Sequence, residues 1–245
     1  METVTVQNFD DGVTLISINR PQRRNAISQQ VALDLQAAFA EFDRSEQRVA
    51  VLTGTGNDAF SAGADVKELP ELWRAIPTVG IATEKPIIAA VAGYCIGGAL
   101  VMAMMTDLLV AAENAKFSYP EARLGFTGGM IAGLVTRIPH KIAMEIMLLG
   151  RPVDAQRAYA VGFANEVVPT GQQVERALEL ARELAAFSPI VLKTIKRFVT
   201  ATLPRGPSES FGVAARDLAL VRESADGREG AAAAREKRKP KFTGR

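Results

Sequence analysis

The chain has 245 residues, of which 48% are hydrophobic and 23% charged, and a net charge of +2. That length holds one large domain or two small ones, and the balance is that of an ordinary globular protein without a general attraction to nucleic acid or membrane surfaces. The single cysteine, Cys95, excludes an internal disulfide framework and fits a reducing compartment.

Met1-Glu2-Thr3 opens directly into a strand pattern, with no basic or apolar leader, so the cytoplasm is the expected location. Val4, Val6 and Phe9, then Val13, Leu15, Ile16 and Ile18, flank Asp10-Asp11-Gly12, and Asp-Gly between β-branched runs predicts a hairpin. Asn25 or Ser28 can cap the next helix, in which Val31, Leu35, Ala38, Phe39 and Phe42 recur at helical spacing. Residues 49–54 read as a short buried strand. From Phe60 to Leu69, small residues around Gly63 permit close backbone approach, and Asp65 and Glu68 are expected near a helix start. Pro70 and Pro77 make the following segment irregular.

The window 85–107 holds no charge between Lys85 and Asp107 and is the most apolar stretch of the chain. Its length admits a membrane span, but Pro86, Gly93, Gly97 and Gly98 interrupt it. The β-branched first half (Ile87, Ile88, Val91) suits a buried strand, and the second half (Leu100, Val101, Met102) a buried helix. The turn between them either packs without chemistry or offers backbone N–H groups to a ligand. Further on, residues 108–112 predict a strand, 116–121 a strand and turn, and 125–133 a glycine-rich loop leading into a helix. Gly150 is a helix stop, Asp154 a cap, and Val167-Val168 a last short strand. The remainder is helical, with Ser188-Pro189 as a cap followed by proline at the first helical position. Alternating strands and helices followed by helices alone predict an α/β core over residues 1–170 and a helical C-terminal region over 171–245.

Few residues carry obvious chemistry. Glu121, after Pro120, reads alone as a surface turn acid. Asp65, Glu68 and Glu71 are possible second acids or helix-start charges. His140 is a helix-start residue with no assigned chemistry, and without a Cys/His cluster no metal site is expected. Between Arg235 and Arg245 lie six basic residues and one acid, Glu236, which form either a solvated tail or a phosphate contact.

Taken in order, a set of motifs resembles the crotonase superfamily, the enoyl-CoA hydratases and isomerases, over nearly the whole chain. They are Asn19-Arg20-Pro21 with Asn25-Ala26, the run from Phe60 to Glu68, the run from Lys85 to Tyr94 with Gly97-Gly98, the run from Phe117 to Gly125, Ala143-Met144-Glu145, Arg228-Glu229-Gly230 and Glu236-Lys237-Arg238. The resemblance implies a spiral of ββα units and an oxyanion hole for a thioester, made by position from the backbone N–H groups of Ala64 and Gly98. It implies an acyl-CoA substrate, no tightly bound cofactor, and a homotrimer or homohexamer assembled through the C-terminal region. For coenzyme A it suggests Arg24, Ala62, Asp65, Val66 and Lys67, with Lys239 and Phe242 of the tail reaching in from a neighbouring subunit.

The family's hydratases use two glutamates. One matches Glu121; the other would stand three residues after Gly98, where this chain has Val101. Hydration needs water positioned and deprotonated while carbon is protonated, a task two carboxylates share. One carboxylate can still move a proton between two carbons. The expectation is therefore a 3-enoyl-CoA to 2-enoyl-CoA isomerase with Glu121 as base. The alternatives are a slow enoyl-CoA hydratase and a non-catalytic acyl-CoA-binding relative. Val101, Phe126 and Trp73 are the expected apolar wall around Glu121. The chain also departs from the family at Ala234 and in the loop 125–137, which is short and lacks a Pro-Gly-x-Gly-Gly pattern.

Overall fold

In the computed structural model, which describes residues 3–245, the first two apolar runs pair as antiparallel strands β1 (Val4–Asn8) and β2 (Val13–Ile18). Gly12 turns between them at φ +83°, a conformation that glycine adopts without steric cost. The chain continues through β3 (Val49–Gly54), β4 (Ala59–Ser61), β5 (Ile87–Val91), β6 (Tyr94–Ile96), β7 (Leu108–Ala112), β8 (Lys116–Ser118), β9 (Val153–Asp154) and β10 (Glu166–Val168). Two sheets result, one in the order β1-β2-β3-β5-β7-β10 and one in the order β4-β6-β8-β9. The three central windings, β3–β4, β5–β6 and β7–β8, each give a strand to the first sheet, then one to the second, then a helical segment, as in the expected ββα spiral. The helices are α1 (Gln29–Arg44), α2 (Gly98–Met104), α3 (Glu121–Leu124), α4 (His140–Leu149), α5 (Ala155–Ala160), α6 (Gln173–Ala185), α7 (Pro189–Thr202), α8 (Pro207–Glu223) and α9 (Ala225–Glu236).

The large sheet is parallel from β2 onward, and both of its faces are covered. Val49, Val51, Ile88 and Ala90 point to one side, where Ala177, Leu178 and Ala181 of α6 seal them. Ala50, Leu52, Ile87 and Ala89 point to the other and join the main core with α1 and α2. So α6, which the sequence reading groups with the C-terminal region, packs against the sheet, and the helices beyond it begin at α7. The charge-free window is tied at both ends. Asp107 accepts from the Ile87 N–H, and the Lys196 ammonium on α7 donates to the Lys85 carbonyl and to Asp107. No helix among the described residues is long and apolar enough to cross a membrane, because Gly93 and Gly97 divide the window into β5, β6 and the seven-residue α2.

Several local expectations are corrected. Ser28 caps α1 by accepting from Val31 N–H at 3.4 Å. Asn25 instead sits buried at φ +55° and donates to the carbonyls of Thr55 and Ala59, bolting the N-terminal turn to the β3–β4 corner. No helix starts at Asp65; residues 62–69 form a turn because Asp65 is held by Arg20 and by the Lys67 N–H. Ser188 makes no side-chain cap bond to α7.

At the corner between β5 and β6, Gly93 has φ +61°, and a Cβ there would lie 2.0 Å from the Asp58 carbonyl oxygen. Gly93→Ala is expected to destabilise the fold by about 3 kcal/mol or more in denaturant titration. Gly12→Ala, whose Cβ would meet nothing closer than 3.5 Å, should cost about 1–2 kcal/mol.

Candidate active site

Two turns meet backbone to backbone. Gly63 has φ +86°, and a Cβ on it would stand 2.5 Å from the Ile96 carbonyl oxygen and 3.3 Å from the Gly98 nitrogen. Only glycine allows that approach. The contact places Ala64 and Gly98 on one cavity of about 260 Å³. Neither of their N–H groups has an acceptor among the described residues. For Ala64 the cause is a single β-bridge: Ile27 N–H donates to Gly63, and Asp65 N–H donates back to Ile27, leaving the Ala64 N–H between them unused. For Gly98 the cause is its place at the start of α2, where the first N–H groups lack intrahelical partners. The Leu72 side chain fills the space that a Gly98 Cβ would need, 2.6 Å from it.

Glu121 begins α3 and is 6% exposed. Its Oε1 lies against Gly97, 2.6 Å from where a Cβ would be. Its Oε2 is buried with no hydrogen-bond partner. Burial raises its pKa from an ordinary 4.5 to about 7, against a smaller lowering by its own N–H. Val101 lies on α2 in the same lining and offers no polar atom. Tyr119 is buried beside them, its hydroxyl 2.7 Å from the Thr127 hydroxyl, and burial holds the phenol above its ordinary range. Val66, Leu69, Leu124 and Phe126 are exposed apolar residues of the lining.

The other residues singled out from the sequence divide into two groups. Ala62, Val66 and Phe126 line the cavity. Arg24 accepts the Ala62 N–H through its carbonyl, while its guanidinium lies 5.5 Å from the centre of the Tyr94 ring. The Asp65 carboxyl is held below its usual range, first by the Lys67 N–H and then by Arg20. Lys239 and Phe242 do not line the cavity of their own chain; the tail folds back on α9, with Lys241 N–H on Glu229 and Thr243 N–H on Asp226. Trp73 is not part of the wall: it lies against Gly212 of α8 and under the Arg74 guanidinium, and its neighbour Leu72 takes the expected place. The close backbone approach expected around Gly63 is present, with Ile96 and Gly98 as its partners, whereas Leu72, Tyr119 and Thr127 were not expected in the lining. The one available signal was Tyr119 directly before Pro120-Glu121.

Two larger clefts, of about 470 and 620 Å³, flank α7, but their acids Asp107 and Glu84 are paired with Lys196 and Arg197. In a third, of about 390 Å³ between α1 and α8, Glu223 is paired with Arg74, Asp217 with Arg216, and Asp43 accepts from the Thr83 hydroxyl. Among the described residues no three His, Cys, Asp or Glu side chains are placed to hold a metal ion. The smaller cavity therefore has the arrangement suited to chemistry. Two unused N–H donors can stabilise negative charge on an oxygen, and a carboxyl titrating near neutrality can exchange a proton beside them.

A sequence model of the enoyl-CoA hydratase/isomerase family matches residues 8–245. A carnitinyl-CoA dehydratase of Salmonella typhi is 35% identical over 248 residues, covering 94% of each chain. The crystal structure of a carnitinyl-CoA hydratase from Mycobacterium avium superposes with a TM-score of 0.78 at 33% identity, over 100% of both chains. That of an enoyl-CoA hydratase from Mycobacterium tuberculosis H37Rv gives the same TM-score of 0.78 and identity of 33%, again over 100% of both. With its ββα spiral and these full-length matches, the chain belongs to the enoyl-CoA hydratase/isomerase family, within the crotonase superfamily.

Proposed function

We propose that this protein converts 3-enoyl-CoA thioesters to 2-enoyl-CoA thioesters with Glu121 as its single acid–base residue. The observation that supports this reading most is a buried, unpartnered Glu121 beside an apolar Val101. The Glu121 carboxylate takes a proton from C2. The electron pair moves onto the thioester oxygen, which accepts from Ala64 and Gly98 N–H; losing one such donor costs about 3 kcal/mol. Glu121 then returns the proton to C4, and the double bond lies between C2 and C3. Coenzyme A enters as part of the substrate and no tightly bound cofactor is required. Arg24 and Lys67 beside the turn at 62–66 supply cations for its phosphates. Asp65 holds that turn, and Lys239 and Phe242 reach the site from a neighbouring subunit.

Hydration of 2-enoyl-CoA is the second reading. The names of the relatives favour it; the lack of a carboxylate at Val101 opposes it. A purely binding role is disfavoured, because an unpartnered buried carboxyl is costly to keep without a use.

Glu121→Gln should lower the rate of conjugated enoyl thioester formation by about 10²–10⁴-fold, and full activity in that variant would show the base to be another group. The wild-type kcat/KM should rise with pH through about 7 as Glu121 ionises. The same raised pKa means the folded state binds more protons than the unfolded one between 4.5 and about 7. Stability is thus lost as pH rises through that window, and Glu121→Gln should be more stable than wild type at pH 8 by up to about 3 kcal/mol.

Val101→Glu should gain hydration of 2-enoyl-CoA. Rapid hydration by the wild type would defeat the single-glutamate reading.

Ile190, Ile195 and Phe198 of α7 and Phe211, Leu218 and Val221 of α8 are all more than half exposed, which supports assembly as a trimer or hexamer through these helices. Sedimentation should give a mass of three or six chains, reduced by Phe198→Asp; a monomeric wild type would contradict it.

A further inference from the structure

The lining around Glu121 is otherwise nearly all apolar. Apart from Glu121 itself, its only polar side chains are Tyr119 and Thr127. Their hydroxyls are in contact at 2.7 Å, and either can donate. Thr127 also accepts the Gly129 N–H at 3.1 Å. No acceptor other than the partner hydroxyl is present for either group among the described residues. The N–H groups of Gly128 and Gly129 face the phenol oxygen as further donors, not acceptors.

The hydroxyl protons can then be counted. Two hydroxyls carry two protons, and their mutual bond uses one. If Tyr119 donates, the Thr127 proton is left over; if Thr127 donates, the Tyr119 proton is. In both cases one O–H donor is left over on the lining of a cavity whose other side chains, apart from the Glu121 carboxyl that exchanges the substrate's protons, are hydrocarbon. An unbranched alkenyl chain has no atom to accept it. An acyl chain bearing a hydroxyl or carbonyl oxygen does.

We infer that the Tyr119–Thr127 pair is a specificity element that selects acyl-CoA substrates carrying an oxygen on the chain beyond the carbons that exchange protons with Glu121. The inference rests on the acyl-CoA reading of this cavity. It adds a substrate class to it: oxygenated acyl chains in preference to plain ones. A site built around a hydrogen bond discriminates against an analogue that lacks the bonding group. Thr127 is exposed, so water competes, and a preference of about tenfold is expected, the value of one net hydrogen bond.

The test uses acyl-CoAs that lack a double bond, so that binding is read without the isomerisation. Dissociation constants are measured for 5-oxohexanoyl-CoA, 5-hydroxyhexanoyl-CoA and hexanoyl-CoA with wild type, Tyr119→Phe, Thr127→Val and the double variant, each checked for a native melting curve. The wild type should bind at least one oxygenated chain about tenfold more tightly than hexanoyl-CoA. Each single variant keeps one hydroxyl and should show an intermediate ratio. The double variant keeps none, and its ratio should fall to about one. A wild-type ratio near one, or a ratio that survives in the double variant, overturns the inference and leaves the proposed function standing. If the wild type binds none of the three, the acyl-CoA reading fails and the inference fails with it.

Discussion

The turn at Gly63 lies against the backbone of Ile96 and Gly98 with no room for a side chain between them, and the site hangs on that contact. It sets Ala64 and Gly98 on a common cavity although 33 residues of chain separate them. A methyl group at residue 63 would have to push one turn off the other. The ββα spiral makes the contact reproducible. Parallel β4 and β6 carry their chain ends to the same edge of the small sheet, so the turns that follow each strand arrive together. The donors themselves follow from local bonding rules: one is skipped by a β-bridge and the other begins a helix.

Burial then works in opposite directions on neighbouring groups. It leaves Glu121 with a partnerless oxygen and a raised pKa, a cost the fold bears at this one point. Other buried ionic groups, Glu209 apart, are satisfied. Lys85 donates to the carbonyls of Phe42 and Ser45 at the end of α1, and Lys196 meets both Lys85 and Asp107. The contrast marks the Glu121 carboxyl as the exception among groups the fold otherwise pairs. Glu209 is a second buried carboxyl with one unbonded oxygen and a raised pKa, but Arg137 lies near it and offsets part of its burial.

The lining sorts polar from apolar with equal sharpness. Val101 keeps α2 from presenting a second acid, while Tyr119 and Thr127 bring two hydroxyls to the same cavity. Tyr119 lies in the run 117–125 that carries the family resemblance, and Thr127 in the loop that follows it, where Gly125 and Gly129 are in the left-handed region. The relatives named above are 33–35% identical, a distance at which a fold persists while a lining can change its chemistry.

Much of this was legible without coordinates. The Asp-Gly hairpin, the buried strands at 49–54, 87–91 and 108–112, the stop at Gly150 and the cap at Asp154 follow from periodicity and turn chemistry, which act within a few residues. The substitution at Val101 was equally plain, since it is a residue type at a position. What failed was tertiary. Asp65 looked like a helix-start acid until Arg20 claimed it, Asn25 like a cap until it reached Ala59, and Trp73 like a pocket wall until α8 covered it. The sequence by itself determined the elements, their order and which side chains were on offer near Glu121. Only the tertiary structure decided that Gly63 is where the turns touch, that Glu121 lies buried without a partner, and that Tyr119 meets Thr127. Each of those depends on backbone segments converging through the spiral, and no local pattern in the chain encodes that distance.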